Sequence, residues 1–456
     1  MCIRDRIRSP SVEHRPRFND AVIVIPGLMG SVLQGADGDV LWGRSPVGIA
    51  GRALLRPGRL GRLSLSPTDG NEPEPVTAAG IVQTSVVLPG LGSLEGYGPL
   101  IRRIKDCALD PAAVAEFAYD WRKTVASNAA LLTGFAAKHL NSWRDHPDAH
   151  GDPRLRLVCH SMGGLVAQAF AETPTGADLV REVITLGTPF GGASKTVIAF
   201  AHSDAPLPWL RATTRDITRT FPGVYDLIPS GEPVVVPGGH TRALEPDDIE
   251  STGGKRTLTV EAFERRQQFN ELIANGRTAN YRTLTGTHQH TISTLSFDNG
   301  TVTPRFETGA LDRRGDGTVP NLSASPQGIP RQFLPQSHGA LTRSPEALAM
   351  VESLLTDTEL GRPLGTGGVG IDAPELAEPG MIPVQLDATN EPTVSVEELF
   401  DDRPARQQRL TARRTEDGWT AAFPAPRPGL FRINAQSGGY SPTTALVLVE
   451  PNQPDH

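Results

Sequence analysis

Over roughly the first three quarters of the chain, short and largely apolar runs closed by glycine, proline or a polar residue alternate with segments of helical period. The runs are Val22–Ile25, Val114–Tyr119, Leu155–Cys159, Val183–Leu186 and Tyr281–Leu284. Runs of this kind predict strands buried on both faces, as in a parallel sheet. Between them, Ser127–Trp143 sets Leu131, Leu132, Phe135, His139 and Leu140 on one helical face, and a second helix is expected over Gly163–Glu172. Strand and helix in this alternation predict a doubly wound α/β sheet. His288–Phe297 and Thr301–Phe306 read as a hairpin around Asn299 and Gly300, the strongest short turn signal. Ser344, Pro345 and Glu346 open a last helix to about Thr356, with proline at its first position.

The period then changes. Gly361–Gly370 (GRPLGTGGVG) has the composition of a linker. Beyond it apolar residues alternate: Ile382, Val384 and Leu386; Val394 and Val396; Leu410 and Ala412; Trp419, Ala421 and Phe423; Leu430–Ile433; Ala445–Val449. Short alternating strands separated by turns predict a small all-β sandwich of immunoglobulin type. Gln34–Pro89 and Ala201 to about Asn275 are too long to be simple connections and are expected to serve as lids or pocket walls. The opening MCIRDR resembles translated adapter sequence, so residues 1–20 are read as a non-native or disordered segment. The expected organisation is therefore an α/β domain over 21–360 with inserts at about 34–89 and 201–275, a linker over 361–372 and a β-sandwich over 373–456.

Composition adds mainly exclusions. The chain has 456 residues, 38% hydrophobic and 21% charged, enough for a sizeable core and a smaller module. A formal net charge of -7 and 5% aromatic residues argue against a nucleic-acid partner. Three cysteines, Cys2, Cys107 and Cys159, suggest neither a disulfide framework nor a zinc site. No run reaches the roughly 18 apolar residues of a membrane span, and the first residues lack the apolar stretch of a signal peptide. The expectation is a cytoplasmic protein.

The stretch LVCHSMGGLV, Leu157–Val166, carries the candidate chemistry. A strand feeding a glycine-bordered helix presents a hydroxyl at the apex, here Ser161, where a base can reach it. Glycines follow because the helix packs close against the strand, where a Cβ at Gly163 would collide with the turn. Cys159, at the strand end beneath the turn, is read as a packing residue whose buried thiol stays inert. The N–H of Met162 opens the helix, and that of Leu28, in Pro26–Gly30, is the candidate second oxyanion donor; losing one such donor costs ~10²–10³ in rate. In this kind of fold an acid and then a base follow the nucleophile. Asp316, in GDGTVP, and His338, in SHGA before the last helix, fit that order. Asp312 is a local rival for the acid, but Arg313 and Arg314 beside it suggest a solvated ion pair. His160 is expected to pack beneath the turn. His288 and His290 lack partners at metal-ligand spacing, and His202 and His240 read as surface residues.

In order along the chain, VIPGLMGSVL (24–33), AYDWR (118–122), CHSMGGLV (159–166), ITLGTPFGGA (184–193), FPGVYDLIP (221–229), GDGTVP (315–320) and HGAL (338–341) together resemble the lecithin:cholesterol acyltransferase family, which includes lysosomal phospholipase A2 and phospholipid:diacylglycerol acyltransferases. The resemblance spans roughly residues 21–356. It implies an α/β-hydrolase fold, a Ser161–Asp316–His338 triad, backbone oxyanion donors at Leu28 and Met162, and an acyl-serine passed to an alcohol or to water. Asp120 and Arg122 match the family's Tyr-Asp-Trp-Arg signature and are read as a structural ion pair. Two departures stand out: Cys159 occupies the first position of the glycine-serine-glycine pentad, and the lid cysteine pair of secreted members has no counterpart. The β module lies outside the resemblance.

The expected function is thus a serine O-acyltransferase, esterase or lipase acting on lipid or other hydrophobic esters, with an alcohol or water as acceptor. It needs no cofactor or metal and touches membrane surfaces transiently. Two alternatives are a hydrolase-fold binding or adhesion protein displaying the β-sandwich, and a peptidase of the same fold. Oligomeric state and lipid identity are not readable.

Overall fold

The computed structural model describes residues 16–43, 60–65, 75–88, 92–201, 208–274, 279–298, 300–306, 314–359, 368–400, 403–416, 418–438 and 442–450. Its centre is a six-stranded sheet of β1 (Ala21–Ile25), β2 (Val114–Glu116), β3 (Leu155–His160), β4 (Val180–Leu186), β5 (Tyr281–Gly286) and β6 (Arg331–Leu334), ordered β6-β5-β4-β3-β1-β2 and parallel throughout. Every residue of β1 and β3 is buried, which is why both read as strands without alternation. In register, Ile25 lies beside Cys159 and Cys159 beside Thr185. The carboxyl ends of β1, β3 and β4 are therefore level, and their following loops open on one edge, where ligands bind in open α/β sheets.

Helices α1 (Gly98–Asp106), α2 (Val125–Arg144), α3 (Met162–Ala171), α4 (Arg256–Ala274) and α5 (Pro345–Thr356) include those predicted from period. Thr124 caps α2 through a hydrogen bond from Ser127 N, and Ser344 caps α5 through one from Ala347 N. Leu131 departs from expectation, being 63% exposed. The face of α2 that packs inward carries Leu132, Ala136, Leu140 and Trp143, and a neighbour one position along is rotated by about 100° from it. The hairpin is shorter than predicted, Thr294–Asp298 with Thr301–Arg305. His288 takes a positive φ of 66°, and Gln289 N bonds Gly315 O instead, so the chain leaves the strand direction there.

The first insert contributes a three-stranded sheet of Ser31–Gly35, Val40–Trp42 and Val76–Ile81. The second is mainly helical, with Pro208–Thr218, Pro246–Ser251 and α4. At the C-terminus two sheets of four and five strands face each other around Ile382, Val384, Val394, Phe423, Ile433 and Val447. A strand at Gly370–Asp372 already belongs to the four-stranded sheet, inside the stretch read as linker. Residues 361–367 of that stretch, and 1–15 of the opening segment, lie outside the described residues.

Candidate active site

Ser161 sits between β3 and α3 with φ 52° and ψ −131°. A non-glycine residue held at positive φ stores strain that its surroundings must sustain. Here they do so through Ser161 N donating to Leu186 O at 2.9 Å and Gly164 N to Ser161 O at 2.9 Å. The glycines nearby serve close approach. A Cβ on Gly163 would lie 2.3 Å from Pro26 O, one on Gly164 2.0 Å from Thr188 Oγ1, and one on Gly27 2.6 Å from Ser161 Cβ. The clash expected at Gly163 is thus with the end of β1 and the loop after it rather than with the turn itself. Cys159 is fully buried, and burial pushes its thiol well above the ordinary range.

The structure brings Ser161, His338 and Asp316 together across 177 residues of chain: His338 Nε2 lies 2.9 Å from Ser161 Oγ and His338 Nδ1 2.7 Å from Asp316 Oδ2. Asp316 is held by Thr318 N and Val319 N, which donate to its Oδ1 at 2.9 and 2.7 Å. A carboxylate can only accept, so Nδ1 carries the imidazole proton and Nε2 is left to accept from the serine hydroxyl. His338 N also donates to Asp316 O at 2.8 Å, which couples the two loops. The rival Asp312 lies outside the described residues, as does His202; His240 is exposed and His290 rests against Phe306.

Leu28 lines the same cavity as Ser161 and His338, with Leu94, Val224 and Leu227. Met162 is the first residue of α3, so its N–H has no acceptor within the helix. The cavity is about 50 Å³, little more than a water's share of the liquid, ~30 Å³. A larger one, about 880 Å³, runs along α3 and α4 between Leu165, Phe190, Phe269 and Ile273 and does not include Ser161.

Two contributions were not legible in the sequence. Tyr119 Oη donates to Pro26 O at 2.7 Å and Trp121 Nε1 to Ser31 O at 3.2 Å, so the aromatics of AYDWR hold the loop bearing Leu28. Its charged members pair as expected: Arg122 Nε and Nη2 reach the two oxygens of Asp120 at 2.9 and 2.8 Å, and Arg122 Nη1 donates to Leu63 O at 2.9 Å. The second contribution is Tyr97, which is fully buried. Gly27 N donates to Tyr97 Oη at 2.7 Å, Tyr97 Oη lies 2.8 Å from His160 Nδ1, and His160 Nε2 lies 3.0 Å from His338 O. His160 does pack beneath the turn, and it also bonds the backbone of His338. Burial first, and then the nearby His338, lower its pKa to about 3.

A parallel doubly wound sheet with a strained serine at the carboxyl end of a central strand, and an aspartate and a histidine reaching it from later loops, is the arrangement of the α/β-hydrolase fold. The family model described as Lecithin:cholesterol acyltransferase matches residues 95–276 of the chain. No curated protein matches the chain significantly in sequence. Among solved structures, the chain is similar to that of the Tle4-Tli4 complex, with 17% identity, 75% of this chain and 99% of that one covered, and a TM-score of 0.48. It is also similar to the lipase BlEst2 of Bacillus licheniformis in its propeptide form (12% identity, 96% and 94% covered, TM-score 0.40). A third is phospholipase PlaB from Legionella pneumophila (12% identity, 81% and 92% covered, TM-score 0.31).

Proposed function

We propose that the protein is a serine-dependent lipid ester hydrolase or O-acyltransferase that works through an acyl-serine at Ser161. The observation that carries this reading is the hydrogen-bonded chain from Ser161 Oγ through His338 to Asp316, at 2.9 and 2.7 Å. In the first half-reaction His338 Nε2 takes the serine proton as Oγ attacks the ester carbonyl, and the negative oxygen is received by the N–H groups of Leu28 and Met162. His338 then returns the proton to the departing alcohol. In the second half-reaction it activates the acceptor, water or another alcohol, and the acyl–oxygen bond to Ser161 breaks. Asp316 holds the imidazole in the tautomer both halves require. The family match over residues 95–276 supports a lipid ester as donor, as does the apolar lining from Leu94, Val224 and Leu227. A substrate of this class brings the enzyme to a lipid surface transiently.

The test is an acyl-ester assay run with and without an added long-chain alcohol, with the Ser161→Ala variant beside the wild type. The substitution should lower kcat by on the order of 10⁶, as nucleophile removal does in other serine hydrolases, and abolish labelling by a fluorophosphonate. Alkyl ester formed in the presence of the alcohol would assign transfer, and free acid alone hydrolysis. Turnover by Ser161→Ala near the wild-type rate would overturn the mechanism.

A further inference from the structure

His338 stands in a loop gripped on both sides by the C-terminal sheets. Ahead of it, Thr443 Oγ1 donates to Pro335 O at 2.9 Å, Gln336 Nε2 to Pro442 O at 2.8 Å, and Ser337 Oγ to Thr444 O at 2.7 Å. Three successive loop residues are thereby tied to three successive residues, Pro442 and the first two of strand Thr443–Val449. Behind it, Glu95 N donates to Gly339 O at 3.3 Å. The Glu95 carboxylate is itself fixed from the sandwich, since Arg432 Nε donates to one oxygen at 2.8 Å and Thr444 Oγ1 donates to the other. Glu95 and Arg432 are 2% and 4% exposed, so the pair is shielded from water and from salt.

The acid loop is held in the same way. Gln289 Nε2 donates to Val369 O and Ile371 N donates to Gln289 Oε1, both at 3.1 Å, while Gln289 N donates to Gly315 O at 3.0 Å. Arg314 pairs with Asp387. Both loops that reach Ser161 from beyond β5 are therefore braced against the sandwich. A general base works only within hydrogen-bond reach of its proton, and a misplacement of about 1 Å can cost ~10²-fold in rate.

We propose that the C-terminal β-sandwich is the positioning module of the catalytic base: through Arg432, Thr443 and Thr444 it sets the backbone from Pro335 to Gly339 and so keeps His338 between Ser161 and Asp316. The inference rests on the serine-hydrolase reading above. None of these sandwich residues touches the reacting atoms; they act through His338.

The test uses the full chain. A Glu95→Gln/Arg432→Met double variant removes the ion pair without stranding a buried charge, Ser337→Ala removes one loop bond, and Arg432→Lys keeps a cation for Glu95. Steady-state kinetics, fluorophosphonate labelling rate, thermal midpoint and the downfield imidazole N–H resonance of His338 are measured on each. In the double variant, kcat and the labelling rate should fall together by ~10–100-fold, with KM within about threefold. Ser337→Ala should lose ~3–10-fold with its thermal midpoint kept, and Arg432→Lys should retain most of the wild-type kcat. The His338 resonance should broaden or shift in the double variant and in Ser337→Ala. Values of kcat within twofold of wild type in Ser337→Ala and in a folded double variant would overturn the proposal, as would a loss in Arg432→Lys as deep as in the double variant. If the double variant does not fold, Ser337→Ala decides alone. If the wild type shows neither ester turnover nor labelling, the serine-hydrolase reading fails by itself, and the His338 resonance still decides the positioning: unchanged in the variants, it overturns that too.

Discussion

His160 shows how much one side chain beside the nucleophile can hold. Its two ring nitrogens face Tyr97 Oη at 2.8 Å and His338 O at 3.0 Å. Because the Tyr97 oxygen accepts from Gly27 N, its hydrogen goes to Nδ1, and Nε2–H is left for the carbonyl. The loop that carries Leu28 and the backbone of His338 thus share one buried relay. Removing the hydroxyl in Tyr97→Phe leaves Gly27 N–H and His160 Nδ1 without partners, a penalty of about 1–3 kcal/mol for each buried group stranded. The expected outcome is a lower thermal midpoint together with a kcat reduced by ~10-fold, since both oxyanion loop and base are loosened; stability lost with kcat intact would show that the relay braces the fold alone. The motifs made Ser161, Asp316 and His338 legible because each sits in its own short signature. Tyr97 lies 63 positions from His160 in a segment with no such signature, and only the folded chain brings it there.

At the scale of the element, the turn between β3 and α3 is set by what surrounds it. The backbone carbonyls of Pro26 and Ile25 stand 2.3 and 2.5 Å from where a Gly163 Cβ would be, and backbone at the end of a fully buried strand has nowhere to go. Gly163→Ala should therefore destabilise by at least about 2 kcal/mol, toward the upper end of overpacking costs, and should slow labelling of Ser161 because the Leu28 loop must shift. Urea unfolding and fluorophosphonate kinetics measure the two effects; an alanine accepted without either would mean that α3 moves freely against β1. The same buried strands were the elements most easily read, since an apolar run enclosed on both faces has few other uses. β6, RQFL, carries no such apolar run, because at the sheet edge three of its four residues are partly or fully exposed. Helix α4 gives a weaker signal for a related reason: only Thr259 and Ala262 of its 19 residues are buried, and Arg265 and Arg266 interrupt the face that carries Leu258, Ala262 and Phe269. The alternation of the C-terminal segment marked its strands, but nothing in that pattern could reveal that Thr443, Thr444 and Arg432 reach the loop of His338.

At the scale of the whole molecule, the described residues include His160 and Glu450, two buried titratable groups whose effects on stability have opposite sign. His160 is lowered from 6.5 to about 3, by burial first and then by His338. Its folded form stays neutral while an unfolded histidine takes up a proton, so its contribution is complete above pH 6.5 and is lost as pH falls toward 3. Glu450, at the end of the last strand, is raised from 4.5 to about 7 by burial, and neither carboxyl oxygen has a hydrogen-bond partner among the described residues. Its contribution is complete below pH 4.5 and is lost as pH rises through 7. Between 4.5 and 6.5 the proton that the unfolded histidine gains matches the one the folded glutamic acid keeps, and the two slopes, each up to about 1.4 kcal/mol per pH unit, cancel. These groups therefore predict a plateau of stability over that interval, with a decline on either side. Substituting Glu450→Gln removes one slope: stability should then climb from pH 3 through 6.5 and level off above it, so the variant gains most over the wild type near pH 8. Denaturant midpoints of both proteins from pH 4 to 8 measure this directly, and parallel profiles with no widening gap above pH 4.5 would show that the Glu450 carboxyl is not held protonated by the fold.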